Sequence, residues 1–274
     1  MEFQEHYLPL IAAPFRDREI YREVLPQPAL RPWIRCFWEF RGGEVRTLVT
    51  PDTCMDIIFD LDERAGALFC GIDDTTVWTQ AGTGEQADQF AVRFYPWAAA
   101  IFAEDSLRDG KNLRCPAQAY FPTLVRELRE TVRQGDTLEK RAALAERWLI
   151  GRLNVARTDV DVLQACWEIV LSRGGIRMDA LSRSLHISPR QLERRFREHM
   201  GIGPKKLSGL IRYQNVWRDV LTQPRFDILD AVVRYGYTDQ AHLLNDFKKY
   251  HLLSLGDARA YAYGNLSLFY KTKP

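Results

Sequence analysis

The sequence predicts an α+β chain, with an antiparallel β barrel or sandwich first and helices from there to the end. Three observations predict it. Apolar residues recur with period two between about residues 30 and 105. After Pro116 the period changes to that of helices. Turn-forming residues at Gly42-Gly43, Gly71 to Asp74 and Gly82 to Gly84 cut the first region into short runs. At 274 residues the chain has room for about two domains with cores of their own. A composition of 46% hydrophobic and 27% charged residues excludes a disordered or low-complexity chain.

The first strand runs from Trp33 to Phe40, with Ile34, Cys36, Trp38 and Phe40 on one face and Arg35 and Glu39 on the other. Met55, Ile57 and Phe59 oppose Cys54, Asp56 and Ile58. Phe90, Val92 and Phe94 alternate with Ala91, Arg93 and Tyr95. The first helix opens at Pro122, carries Leu124, Leu128 and Val132 at four-residue steps, and stops at a left-handed Gly135. The second opens on a capping box of Asp136 and Glu139 and carries Leu138, Ala145, Trp148 and Leu149 toward Leu153. The third covers about 158–172, with Val160, Leu163, Trp167 and Val170 on one face and Gly174-Gly175 as its stop. The expected division is a β-rich part over 1–115, a helical connector over 116–158 and an all-helical part over 159–274.

Charge is divided unevenly. Residues 1–158 carry 20 Lys and Arg against 24 Asp and Glu, and residues 159–274 carry 18 against 12. A cationic half beside an acidic one points to a polyanion partner for the second half. The five cysteines (Cys36, Cys54, Cys70, Cys115, Cys166) form no C-x-x-C pair and fit reduced thiols. No stretch has the length of a membrane span, and the start has no secretory pattern, so a cytoplasmic location and no membrane are expected. Ahead of His186 the sole histidine is His6, near a start expected to be flexible. That excludes a histidine-ligated metal and a Ser-His or Cys-His catalytic pair in the first half. No catalytic residue, metal or cofactor is nominated, and the chain is not expected to be an enzyme.

From Met178 the spacing is that of a helix-turn-helix. Met178 to Leu185 forms a short helix, His186-Ile187 the turn, and Ser188 to Met200 the second helix, with Ser188 as N-cap and Pro189 in its first turn. Leu192, Phe196 and Met200 bury one side, while Arg190, Arg194, Arg195 and Arg197 with Gln191 and Glu193 form the exposed side. Forked guanidiniums there suit phosphate or the O6/N7 edge of guanine. A second copy follows. Ile228 to Tyr235 ends at Gly236, and Asp239 to Tyr250 buries Leu243, Phe247 and Tyr250 while exposing Gln240, His242, Asn245 and Lys248. The helix from Pro204 to Thr222 between the copies spans about 28 Å. Successive major grooves on one face of B-DNA lie about 34 Å apart, so such a rod suits two helices in adjacent grooves.

Leu185-His186-Ile187-Ser188-Pro189-Arg190-Gln191-Leu192-Glu193-Arg194-Arg195-Phe196, then Gly201-Ile202-Gly203-Pro204, Arg212, and Gly236-Tyr237-Thr238-Asp239-Gln240-Ala241-His242 with Phe247-Lys248 resemble the tandem helix-turn-helix of AraC/XylS-type transcription regulators. The resemblance implies a DNA-binding activator or repressor. By position it nominates Arg190, Glu193 and Arg194 in the first copy and Gln240, Ala241, His242 and Asn245 in the second. Gln191, Arg197, Lys205 and Lys248 complete the expected DNA-binding set, with Lys205 and Lys206 as phosphate contacts. Where the family commonly shows Phe, Arg and a Gly-x-x-Pro ending, this chain has Leu243, Asn245 and Leu252-Leu253-Ser254-Leu255. The second helix is thereby left mainly with phosphate positioning.

Pro51 to Phe59 with Phe90 to Pro96 resembles the β-rich, cupin-like sensor half of some AraC-type regulators, which implies effector binding, dimerisation or both. Trp38, Asp56, Trp78 and Arg93 are the candidate effector pocket: aromatic faces for a flat or apolar molecule, with Asp56 or Arg93 to orient it. Plain core packing is the alternative for these aromatics. The implied partners are double-stranded DNA, a small-molecule effector, RNA polymerase and a second copy of the chain. A different class of function also stays open, a thiol-sensing or alkyl-transfer protein using Cys54 or Cys36 and delivered to DNA by the basic half.

Overall fold

The computed structural model describes residues 3–10, 21–41, 45–61, 66–81 and 88–263. The turns expected at Gly42-Gly43 and Gly82 to Gly84 lie outside these residues. The first part comprises α1 (Phe3–His6), β1 (Tyr21–Val24), β2 (Ile34–Phe40), β3 (Val45–Val49), β4 (Met55–Asp60), β5 (Ala67–Cys70), β6 (Val77–Ala81), β7 (Gln89–Phe94), α2 (Ala99–Phe102) and β8 (Arg114–Pro116). Then come α3 (Pro122–Arg133), α4 (Leu138–Arg152), α5 (Val160–Leu171), α6 (Met178–Ser184), α7 (Pro189–Met200), α8 (Pro204–Thr222), α9 (Ile228–Tyr235), α10 (Gln240–His251) and α11 (Leu255–Ala262).

The chain is α+β, with a sheet-built first half and a helical second half. One sheet has the order β1-β2-β7-β4-β5-β8 and a smaller one pairs β3 with β6. Every pairing is antiparallel. The period-two pattern predicts strands buried on one face. Instead β2 and β7, central in the larger sheet, are buried on both. The face carrying Phe37, Ile57, Phe59, Phe90 and Val92 enters the main core. On that face Glu39 is buried and paired with Arg41 and with Arg141 of α4, which seats the helix on the sheet. The opposite face gathers Cys36, Trp38, Phe40 and Ala91 into a separate cluster.

The main core continues through both halves. Phe69 of the sheet, Leu128 and Leu149 of α3 and α4, Ile169 of α5, Phe196 of α7 and Trp217 of α8 belong to one apolar cluster. The start of the chain is part of this junction, contrary to the flexible end expected at His6. Phe3 stacks on Trp97 at 3.9 Å and meets Trp167 of α5 edge-on at 5.2 Å, and His6 lies 5.3 Å from the same indole. Tyr7 is buried with its hydroxyl 3.0 Å from Thr53 Oγ1.

Three local expectations are corrected. The N-cap of α4 is Thr137, which accepts from Lys140 N, while Asp136 pairs with Lys140 Nζ at 2.8 Å. Either residue is a good cap, and the helix begins one position later. Gly135 is not left-handed. It is needed for space, because a Cβ there would stand 2.8 Å from Arg141 N. The buried stripe of α5 is Val162, Ala165, Cys166, Ile169 and Val170, and Val160 is 75% exposed.

Candidate nucleic-acid interface

The two helix-turn-helix units are built alike. After α6, His186 takes the left-handed conformation at φ 55° and Ile187 N donates to Ser182 O. After α9, Gly236 takes it at φ 69° and Tyr237 N donates to Val232 O. Each bond reaches back five residues and closes the helix end in the same way. Ser188 then caps α7, accepting from Gln191 N while the Gln191 side chain accepts from Ser188 N. Asp239 caps α10 by accepting from His242 N at 2.7 Å. Between the units α8 runs 19 residues, with Leu207, Leu210, Ile211, Tyr213, Trp217 and Val220 all buried.

Helix α7 buries Leu192, Phe196 and Met200 and turns Arg190, Arg194 and Arg197 to solvent. A groove of about 440 Å³ runs beside it, lined by Ser188, Arg190, Gln191, Glu193, Arg194, Arg197 and Arg108. Arg194 reaches Glu198 Oε1 at 3.3 Å and Arg197 reaches Glu193 Oε1 at 2.8 Å. Arg195 does not share the exposed surface expected of it. It is half-buried and paired with Asp159 at 3.2 Å and Asp161 at 2.5 Å, which fixes α7 to the start of α5. Glu193 is half-buried with its carboxylate against Gly203, and Gln191 is held in the cap. Lys205 is exposed, but Lys206 pairs with Asp74 of the first half at 3.0 Å.

On α10, Leu243, Phe247, Tyr250 and His251 are buried, and Gln240, Ala241, His242, Asn245 and Lys248 are exposed. The His242 ring leans edge-on against Tyr237 at 5.1 Å, with Nδ1 3.3 Å from Thr238 N and Oγ1. His251 packs flat on Phe247 and places Nδ1 2.7 Å from the Tyr213 hydroxyl. Burial pushes its imidazole down to about 3, so the ring is neutral.

In the first half, one rung of the larger sheet crosses five strands as Cys36, Arg93, Asp56, Cys70 and Arg114. Arg93 donates to Asp56 at 2.8 and 2.5 Å, Trp38 Nε1 donates to Asp56 at 3.3 Å, and the guanidinium stands 5.9 Å from the Trp38 ring centroid. Arg93 Nη1 is buried without a hydrogen bond, 3.4 Å from Asp52 Oδ2. Burial pushes the Asp52 carboxyl up to about 6 against the pull of Arg93. The structure therefore brings together Trp38, Asp56 and Arg93. Trp78 stands apart in β6, meeting Tyr261 of α11 edge-on at 6.0 Å. Cys54 and Cys36 are buried and burial raises both thiols, which disfavours the thiolate that alkyl transfer needs. Among the described residues, no group of His, Cys, Asp and Glu is placed to hold a metal ion.

Sequence reasoning missed the contacts that lock the halves together. Thr76 N and Oγ1 both donate to Tyr250 O at the end of α10, at 2.8 and 2.9 Å. Leu107 N donates to Glu198 O at 2.9 Å, near the end of α7. Gln214 of α8 is bonded to Leu10 and to Pro51 O. All are polar contacts between segments distant in sequence, and no local pattern announces them.

Two family models match the chain. A domain of unknown function (DUF6597) covers residues 22–116 and a helix-turn-helix domain covers residues 181–261. No curated protein matches. Among solved structures, ToxT from Vibrio cholerae is similar at 11% identity and a TM-score of 0.42, over 89% of this chain and 98% of that one. ToxT bound to (E)-4-(8-methylnaphthalen-1-yl)but-3-enoic acid gives the same values. ToxT bound to an unsaturated fatty acid is similar at 10% identity and a TM-score of 0.39, over 82% of this chain and 95% of that one.

Proposed function

We propose, from the premise that residues 181–261 are an AraC-type helix-turn-helix domain joined to an antiparallel β half, that this DNA-binding transcription regulator is sequence-specific and responds to an effector. The observation that carries the reading is the exposed row Arg190 and Arg194 on a helix whose other side, Leu192, Phe196 and Met200, is fully buried. An amphipathic helix capped at its start and presenting arginine forks fits the major groove. In this reading α7 supplies most base contacts, through Arg190 and Arg194. Arg197, Lys205 and Lys248 meet phosphate, Glu193 and Gln191 hold neighbouring groups in place, and Gln240, Ala241, His242 and Asn245 of α10 lie along the second groove. Residues 1–115 form the sensor, 116–158 the connector and 159–274 the DNA-binding part. The partners are double-stranded DNA and a small molecule, and no catalytic step is assigned.

The sensing site is the Trp38, Asp56 and Arg93 group. An indole beside a buried guanidinium, whose Nη1 is ion-paired with Asp52 but makes no hydrogen bond, suits a planar molecule bearing an acceptor. Selection of bound duplexes from a random pool tests the first part of the reading, and a recovered consensus is the expected result. If bound and unbound pools have the same sequence composition, specific recognition is excluded. A thermal-shift screen of small metabolites tests the second. A ligand that raises the Tm of the wild type and not of Arg93→Met, and that changes affinity for the selected duplex, is the expected result.

A further inference from the structure

We propose that Arg108, which belongs to the β half, is a DNA-backbone contact that completes the surface built on α7. The proposal rests on the DNA-binding reading above and adds to it a residue outside the helix-turn-helix. Positions 190, 194 and 198 recur at four-residue steps and share one face of α7. The row therefore reads Arg190, Arg194, Glu198, and its last member would repel the phosphates that the first two attract.

The loop that follows α2 covers this weak point. Leu107 N donates to Glu198 O at 2.9 Å, a backbone bond that docks the loop on the helix end, and a bond from Gly110 N to Leu107 O at 2.8 Å closes the loop on itself. Arg108 then lays Nη2 3.0 Å from Glu198 Oε1, and its side chain remains 56% exposed. It lines the same groove as Arg190, Arg194 and Arg197. A surface ion pair of this exposure adds little to stability, and the loop is held without it. What the guanidinium does change is the charge of the face. It shares Glu198 Oε1 with Arg194, so two guanidiniums stand against one carboxylate, and Arg108 borders the groove where a phosphate flanking the α7 site would sit. Asp105 and Asp109 of the same loop line a separate cleft with Arg157 and His199, which Arg108 and Glu198 also border.

The test is equilibrium binding of the full chain to a mixed-sequence duplex across a salt series. For Arg108→Ala, affinity falls and the slope of log affinity against log salt shrinks by about one, with an unchanged Tm. Arg108→Lys restores the slope, and Glu198→Gln strengthens binding. Arg126→Ala on α3, a still more exposed cation away from the groove, leaves binding as in the wild type. If Arg108→Ala binds with unaltered affinity and slope while Arg194→Ala is weakened, the proposal is overturned and the DNA-binding reading stands. If the wild type does not bind duplex at all, the DNA-binding reading falls, and the proposal falls with it.

Discussion

Arg194 and Lys205 differ in what they reach. Arg194 lies mid-row on α7, whereas Lys205 is exposed in the first turn of α8. Arg194→Ala is expected to cost about 1 to 3 kcal/mol on the selected duplex and to relax base preference. Lys205→Ala weakens all duplexes alike, and competition binding with random and selected DNA separates the two. If Arg194→Ala weakens both equally, base reading by that residue is excluded. A second residue-scale prediction concerns pH. An unfolded histidine takes up a proton near pH about 6.5, but the buried His251 does not until about 3. The stability this site contributes is complete above about pH 6.5 and is lost as pH falls toward 3. Asp52 has the opposite sign, because its folded value of about 6 exceeds the unfolded value of about 3.9. It contributes stability below about 3.9 that is lost as pH rises through 6. In urea unfolding between pH 4 and 6.5, His251→Phe should therefore flatten the decline on acidification and Asp52→Asn should steepen it. Unchanged slopes would show that neither group is linked to folding there.

At the scale of elements, helix ends were legible, save at Gly135 and the Thr137 cap of α4, and strand partners were not. Pro204 and Gly236 mark the start of α8 and the end of α9 to the residue, because caps and left-handed stops are local chemistry. The exposed Arg190 and Arg194 and the buried Leu192 and Phe196 likewise follow from helical period alone. Nothing local places β7 between β2 and β4, and nothing near Arg195 shows that Asp159 and Asp161, more than thirty residues upstream, will claim it. Arg108 is invisible to sequence for the same reason. Two turns that the sequence singled out make a quantitative pair. At Gly236 an added Cβ meets open space, so Gly236→Ala carries only the left-handed backbone penalty, about 1 to 2 kcal/mol. At Gly174, φ 78°, the Cβ would stand 2.2 Å from Ser208 O, so Gly174→Ala should cost more than Gly236→Ala. Ser188→Ala removes the α7 capping box and should cost about 1 kcal/mol. Denaturant midpoints at constant slope measure all three, and a Gly174→Ala as mild as Gly236→Ala would contradict the tight contact.

Across the whole molecule, the apolar cluster passes from the sheet through α5 to α8 without a break. Chain length suggested two cores, but the halves share one apolar cluster, so unfolding should proceed as a single transition. Phe90→Ala, deep in the sheet, is expected to destabilise by about 3 to 5 kcal/mol. The transition seen by fluorescence of Trp217 in α8 should shift with that of the sheet. Two separated transitions, or a Trp217 signal indifferent to Phe90→Ala, would mean that the halves unfold independently. The docking points at Thr76 and Leu107 bear on DNA in another way. They hold α10 and α7 by their last turns from the same sheet-built half, much as the jaws of a caliper are carried on one frame. In the reading proposed above, a protein so built measures the distance between its two binding steps. Inserting a single base pair between the halves of its site should abolish paired engagement, where a loosely linked pair of readers would tolerate it.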